Sequence, residues 1–209
     1  MTINDLKIGS RLTLGFAAVL LLMVAMTTIG FVRLKTIGDA MQTSAEIAKN
    51  AHFADAWVSR ARLNVDRTLA LSKAPGQVAL VNHIEPLIKK TTDEIAEVQQ
   101  SLGTGIVSER GKELFAVSTE KRDAYADLYK KVTDLQKAGD NAGAQAVLSQ
   151  KLVPAAQAYL SSVEALGDYI EQQVVSNTEQ ADKDIANGKM LLLGLLGAGL
   201  LMGMGMALI

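Results

Sequence analysis

The sequence predicts an all-α protein: an up-down-up-down antiparallel four-helix bundle between two transmembrane helices. Three observations predict it. Two apolar blocks without a charged residue, 12–32 and 190–209, stand at the two ends of the 209-residue chain. Between them, aliphatic residues recur at alternating three- and four-residue spacing, the rhythm of packed helices. No run of alternating Val, Ile and Thr bounded by turn residues interrupts that pattern, so strands are not expected.

Taken in order, residues 1–11 form a short polar tail. Residues 12–32 are long enough to cross a hydrocarbon core about 30 Å thick as one helix. A cleaved signal peptide has an apolar stretch of only about 7–15 residues and a small-x-small cleavage site, so an uncleaved span is expected. Residues 190–209 make the second span. Their glycines (Gly194, Gly197, Gly199, Gly203, Gly205) are of a kind common in lipid-embedded helices, and Gly199 and Gly203 fit a small-xxx-small packing pattern. Lys7 and Arg11 outweigh Asp5 and hold the N-terminus in the cytoplasm by the positive-inside rule. Residues 33–189 then lie on the far side, in a bacterium the periplasm, and the protein is a two-pass inner-membrane protein in contact with membrane lipid. With nothing left on the inside to act, the sequence is expected to be part of something longer or to end in the membrane.

Composition narrows the function. The chain has no Cys and only two His, His52 and His83, and 21 Lys and Arg against 22 Asp and Glu give a net charge of −1. No disulfide scaffold, zinc knuckle or thiol nucleophile is possible. A histidine metal cage is not expected, and a nucleic-acid partner, which calls for a basic face, is not expected either. The two histidines read as surface or rim residues. Glycine-rich phosphate loops, HExxH and GxSxG are absent, and the Glu/Asp pairs lie where solvated helix faces carry charge. No enzymatic activity, cofactor or metal is predicted.

Within 33–189, helix breaks fall at Ala74-Pro75-Gly76, at Gly103-Thr104-Gly105 and at Ala138-Gly139-Asp140-Asn141. Pro154 stands near the start of the main fourth helix, where its missing N–H matters little. Pro86 is expected to delay or kink the second helix. The first helix shows a stripe of Ile37, Met41, Ser44, Ala48, Ala51, Asp55, Val58, Arg62, Val65 and Leu69, the second Ile84, Ile88, Thr91, Ile95, Val98 and Leu102. On the third, Leu114, Val117, Lys121, Tyr125, Leu128, Val132 and Leu135 follow the same rhythm, and on the fourth Tyr159, Val163, Leu166 and Ile170.

Polar departures from these stripes mark a candidate site. Ser118, Arg122, Tyr125 and Tyr129 share one face of the third helix. Antiparallel packing is expected to bring Thr91 and Thr92 from the second helix, and Tyr159 from the fourth, towards Arg122. A guanidinium fork with hydroxyls around it suits a small carboxylate. Ordinary packing remains the other reading: a seam Tyr with its hydroxyl at the rim, a small Thr filler, and Arg122 paired with Glu113, Glu120 or Asp127. Arg60 and Arg67, seven residues apart on the first helix, form a second basic stripe that faces solvent, a second ligand contact or a dimer partner.

The stretch Leu6-Lys-Ile-Gly-Ser-Arg-Leu-Thr-Leu-Gly-Phe16 and the turn from Lys137-Ala-Gly-Asp140 through Leu152-Val-Pro154-Ala-Ala-Gln-Ala-Tyr159 resemble the sensor region of bacterial methyl-accepting chemotaxis receptors. That resemblance covers nearly the whole chain. It implies a periplasmic bundle that assembles as a homodimer or higher homo-oligomer, binds a small attractant or repellent, and shifts its last helix relative to the first. A cytoplasmic histidine kinase and its coupling protein would be reached only through a C-terminal part that this sequence does not contain. In the family's amino-acid receptors, arginines near the end of the first bundle helix hold the ligand carboxylate; Arg67 matches that pattern by spacing, whereas Arg60 and Arg62 do not. The Arg122/Tyr125 pair looks more like receptors for organic acids. The ligand expected is therefore a di- or tricarboxylic acid, with Arg122 as charge partner and Tyr125, Tyr159, Thr91 and Thr92 as hydroxyl donors. Sensor regions of membrane histidine kinases and cyclic-dinucleotide enzymes share this pattern, and a membrane-anchored bundle without a ligand is the structural alternative.

Overall fold

The computed structural model describes residues 8–207. Its elements are α1 (Ile8–Ser72), α2 (Val78–Gly105), α3 (Glu109–Lys137), α4 (Asn141–Val147), a π-helical turn (Leu148–Leu152) and α5 (Val153–Ala207), with no strand among the described residues. The chain forms two compact units, Ala45–Val175 and the pair of end segments Met1–Ser44 with Ser176–Ile209.

The unit Ala45–Val175 is the bundle. Partners of α1 on α2 fall in number as α1 rises: Asn50 meets Gly105, Arg60 meets Glu94, Asn64 meets Thr92 and Arg67 meets Leu87, so the two run antiparallel. On α3 and α5, Ser108 meets Tyr169, Ser118 meets Ser162, and Tyr125 stacks on Tyr159. Between α1 and α5, Val58 lies against Gly167 and Arg62 against Glu164. This is the antiparallel up-down-up-down order predicted. Its core holds Trp57, Leu102, Val132, Leu152, Val163 and Leu166, all essentially without solvent contact.

Short caps make the turns. Gly76 and Gly139 adopt φ of 80° and 81°, a conformation in which a side chain is strained, and each follows a helix end at the break the sequence marks. Ser108 accepts from Gly111 N at 3.3 Å to start α3, and Asp140 accepts from Gly143 N at 2.8 Å to start α4.

The structure corrects four expectations. α2 does not stop at Gly103 but continues through Gly105, and the break lies at 106–108, because Ile106 N still donates to Leu102 O. Asn50 Nδ2 donates to Gly105 O at 2.9 Å, and a Cβ on Gly105 would collide with Asn50 Oδ1. Pro86 does not delay α2, which starts at Val78 and runs through it. On α3 the seam is Gly111, Ser118, Tyr125 and Val132, while Val117 is exposed and Lys121 half-buried. On α1 the buried stripe is Ala54, Trp57, Ala61, Asn64, Val65 and Thr68, so the expected Asp55 and Arg62 lie outside it, and the expected Ile37 and Met41 are exposed.

The π turn has a cause in the sequence. Ala144, Leu148, Leu152 and Ala156 are all buried at consecutive four-residue spacing. On a regular helix, steps of four drift about 40° each, and three in a row would carry Ala156 off the core face. A turn holding one extra residue absorbs the drift, and Val153 N accordingly donates to Leu148 O, five residues back. Pro154 fits the same place, since on a regular helix its ring would press on the Gln150 carbonyl.

In the other unit, the first and last helices are long and apolar enough to cross a membrane. Phe16, Leu21, Leu193 and Leu201 are each about 70% exposed, which the core helix of a soluble bundle would not tolerate. Asn177 Nδ2 donates to Ser44 Oγ at 2.6 Å. Asp5 and Lys7, on which the expected orientation rests, lie outside the described residues, as do the last two residues of the second apolar block.

Candidate functional site

Two polar clusters interrupt the bundle's apolar core, and they divide the predicted site residues between them. The first lies between α1 and α2. Arg67 Nη1 donates to Thr91 Oγ1 at 2.8 Å and to Leu87 O at 3.3 Å. One turn earlier on the same helix, Asn64 Nδ2 donates to Thr92 Oγ1 at 3.0 Å. Both threonines have already committed their protons to the α2 backbone, Thr91 to Leu87 O and Thr92 to Ile88 O. Thr91 is buried, Arg67 is half-buried, and Asn64 is 8% exposed. Asn64 Oδ1 is buried without a hydrogen-bond partner.

Arginine pairing sets this cluster apart. Four of the five arginines in Ala45–Val175 meet a carboxylate: Arg60 with Glu94 at 3.0 Å, Arg62 with Glu164 at 2.7 Å, Arg110 with Glu113 at 2.7 Å, and Arg122 with Asp123 at 2.7 Å. Arg67 alone among them has no acidic partner within ion-pair distance. The solvated reading of the Arg60/Arg67 stripe thus splits: Arg60 is a helix-to-helix ion pair, and Arg67 is a half-buried cation held only by neutral oxygens.

The second cluster lies where α1, α2, α3 and α5 meet. Arg122 Nη1 donates to Gln99 Oε1 while its Nε and Nη2 hold Asp123 Oδ1 at 3.0 and 2.7 Å. The expected acidic neighbours Glu113, Glu120 and Asp127 are not its partners. Trp57 Nε1 donates to Tyr159 Oη at 2.8 Å, and the rings of Tyr125 and Tyr159 stack at 5.6 Å. Burial pushes the Tyr159 hydroxyl up to about 12, eased by the Trp57 donor and by the nearby Arg122 charge. Burial raises Tyr125 further still, with Thr68 opposing the rise. Yet Tyr125 Oη closes no hydrogen bond, and Gln99 Nε2 is likewise buried and unpartnered.

Arg122, Tyr125 and Tyr159 are therefore brought together as expected, but Thr91 and Thr92 are not. Gln99 is the α2 residue that faces Arg122, and Thr91 and Thr92 lie seven to eight residues from it, roughly 10–12 Å along the helix. Three residues that matter here escape a reading of the sequence: Asn64, Gln99 and Trp57. A signal exists for Trp57, because Trp57, Ala61, Asn64, Val65 and Thr68 recur at helical spacing, beside the more evenly spaced stripe through Val58 and Arg62.

Open pockets also lie on the bundle, two of them bordered by charged and polar side chains. One of about 200 Å³ lies between the end of α1, the start of α2 and the end of α3, lined by Ser72, Pro75, Glu85, Tyr129, Thr133 and Gln136. Burial raises the Tyr129 hydroxyl there, and Glu85 adds to the rise. The other, about 380 Å³, is a groove between α1 and α5 with Asp55, Glu164, Asp168 and Glu171 around Arg62.

Residues 5–185 match the family model of a four-helix-bundle sensory module for signal transduction. A search of curated proteins returned no match. The family match covers most of the chain, agrees with the all-helical architecture, and bears out the resemblance to chemotaxis-receptor sensor regions. The chain belongs to this family of sensory modules.

Proposed function

We propose that this sensory module binds a small organic acid on the periplasmic side of the bacterial inner membrane, with Arg67 as the charge partner and Asn64, Thr91 and Thr92 around it, and that occupancy displaces α5 for chemotactic signalling. The observation that carries the reading is the unneutralised guanidinium of Arg67. A ligand carboxylate supplies the missing counter-charge without breaking an internal ion pair. At Arg122, by contrast, the same carboxylate has to displace Asp123, the adjacent residue in the chain. A charge-assisted contact of this kind contributes about 1.5–3 kcal/mol.

Transmission rests on helix continuity. α5 is one helix from Val153 to Ala207 and includes both the core residues Tyr159, Val163, Leu166 and Ile170 and residues 190–207 of the second apolar block. A ligand that prefers one helix arrangement by about 1–3 kcal/mol shifts the balance roughly 5–150-fold.

The test is isothermal titration calorimetry of small mono-, di- and tricarboxylates on the full chain in lipid nanodiscs. Binding should be saturable in the wild type and lost in Arg67→Ala, with the helical circular-dichroism signal unchanged. Equal affinity in wild type and Arg67→Ala sinks the assignment. Reporter fusions at residue 140 locate the bundle, and a cytoplasmic signal there contradicts the periplasmic placement.

A further inference from the structure

Resting on the Arg67 reading, we infer that the site selects a hydroxy acid, a carboxylate bearing a hydroxyl on the neighbouring carbon, over the same acid without it and over the corresponding amino acid. The unmet groups of the cluster carry this inference. The hydroxyl donors are spent and the amide is partly engaged: the Thr91 and Thr92 hydroxyls serve Leu87 O and Ile88 O, and the Asn64 amide nitrogen gives a proton to Thr92 Oγ1. Arg67 engages α2 through Nη1 alone, which leaves its Nε and Nη2 edge for a carboxylate. One acceptor is left over, Asn64 Oδ1, buried and without a partner.

In the structure Thr92 gives its proton to Ile88 O at 2.8 Å and offers its lone pairs to α1, and the nitrogen of Asn64 faces it. Oδ1 therefore points away from Thr92 as an acceptor with nothing to accept. Arg67 follows Asn64 by three residues, on the same side of α1, and both reach α2. A ligand that fits must accept at Arg67 and donate at Asn64, and the i, i+3 spacing, about 5–6 Å between Cβ atoms, calls for the two functions close together on it.

A hydroxyl meets that requirement better than an ammonium. The acceptor is a neutral carboxamide three residues from the Arg67 cation, and Glu94, two to three residues from Thr91 and Thr92 on α2, is held by Arg60 at 3.0 Å. An ammonium group would lose its hydration there and gain one neutral acceptor. A simple dicarboxylate would leave Asn64 Oδ1 unpaired, a position for which desolvation has no compensation.

Two matched series test this on the full chain in nanodiscs by calorimetry: succinate, L-malate and L-aspartate, and propionate, L-lactate and L-alanine. In each, only the substituent on the neighbouring carbon changes. The hydroxy acid of at least one series should bind about tenfold tighter than both of its companions, and Asn64→Leu should reduce that ratio to about one while Arg67→Ala abolishes all binding. Equal affinity for malate and succinate, and for lactate and propionate, overturns the hydroxyl preference and leaves the carboxylate reading standing. Tighter binding of the amino acids overturns it as well. No binding in either series overturns both. The wild-type comparison stands even where Asn64→Leu folds poorly, and Asn64→Ala gives a second, smaller replacement.

Discussion

Arg67 and Arg122 are two half-buried arginines in one bundle, and they do opposite things. Arg122 is closed: Asp123 cancels its charge and Gln99 takes its remaining donor, beneath the Tyr125–Tyr159 stack and Trp57. Arg67 is open: neutral oxygens hold it and no acid answers it. The difference teaches that residue type and helical position do not identify a ligand site. What identifies it is the charge and hydrogen-bond balance after the helices have packed. A satisfied arginine stabilises a fold, whereas an unsatisfied one is available to a partner.

Mutations can break that contrast. The largest effect is expected for Trp57→Ala, which removes a fully buried side chain and the donor to Tyr159; chemical denaturation should show a loss of about 3–5 kcal/mol. Next comes Arg122→Ala. It leaves both ends of the buried Gln99 carboxamide unmet and should cost about 1–3 kcal/mol of stability while organic-acid affinity stays at the wild-type value. Arg67→Ala should show the reverse, lost binding with stability changed by less than about 1 kcal/mol, because Thr91 keeps its bond to Leu87 O. If both variants lose stability and neither loses binding, the two arginines are alike and the contrast fails.

Alkaline titration probes the closed cluster together with Tyr129, whose hydroxyl is also raised by burial. The Tyr125 and Tyr159 hydroxyls ionise higher in the folded bundle than in the unfolded chain, where tyrosine titrates near 10. Their contribution is therefore fully present below about pH 10 and is lost as pH rises from there towards and past 12. Each tyrosine should lower stability by about 1.4 kcal/mol per pH unit within that window. Tyr159→Phe should lower the slope measured by urea unfolding between pH 10 and 11 by roughly a third, with Tyr125 and Tyr129 carrying the rest. The smallest effect belongs to Arg62→Ala, whose partner Glu164 shares a largely solvated face; about 0–1 kcal/mol is expected.

Much of the fold is legible in the sequence because it follows from local rules. Gly76 and Gly139 supply the left-handed residues of the turns after α1 and α3, and Ser108 and Asp140 cap α3 and α4. The α2 stripe from Ile88 to Leu102 is buried as its spacing predicts. Legibility fails where two stripes compete. On α1, Ala51, Val58, Val65 and Leu69 look as apolar as Ala54, Trp57, Ala61 and Val65, and only the three neighbouring helices decide which face sees most of the core. On α3, Ser118 reads as polar, yet it is fully buried because its hydroxyl contacts both Leu114 O and Ser162 O at 2.9 Å. The π turn is written in the three four-residue steps from Ala144 to Ala156, beside a proline that reads equally well as a plain helix start.

By itself the sequence determined the class, the two apolar ends, the helix order and the presence of arginines, tyrosines and threonines on inner faces, since periodicity, capping and hydropathy act over a few residues at a time. Only the packed bundle decided that Thr91 answers Arg67 rather than Arg122, and that Gln99 stands in its place. That choice depends on the relative height of antiparallel helices, where a shift of two turns exchanges every partner across the interface without altering any residue's local pattern.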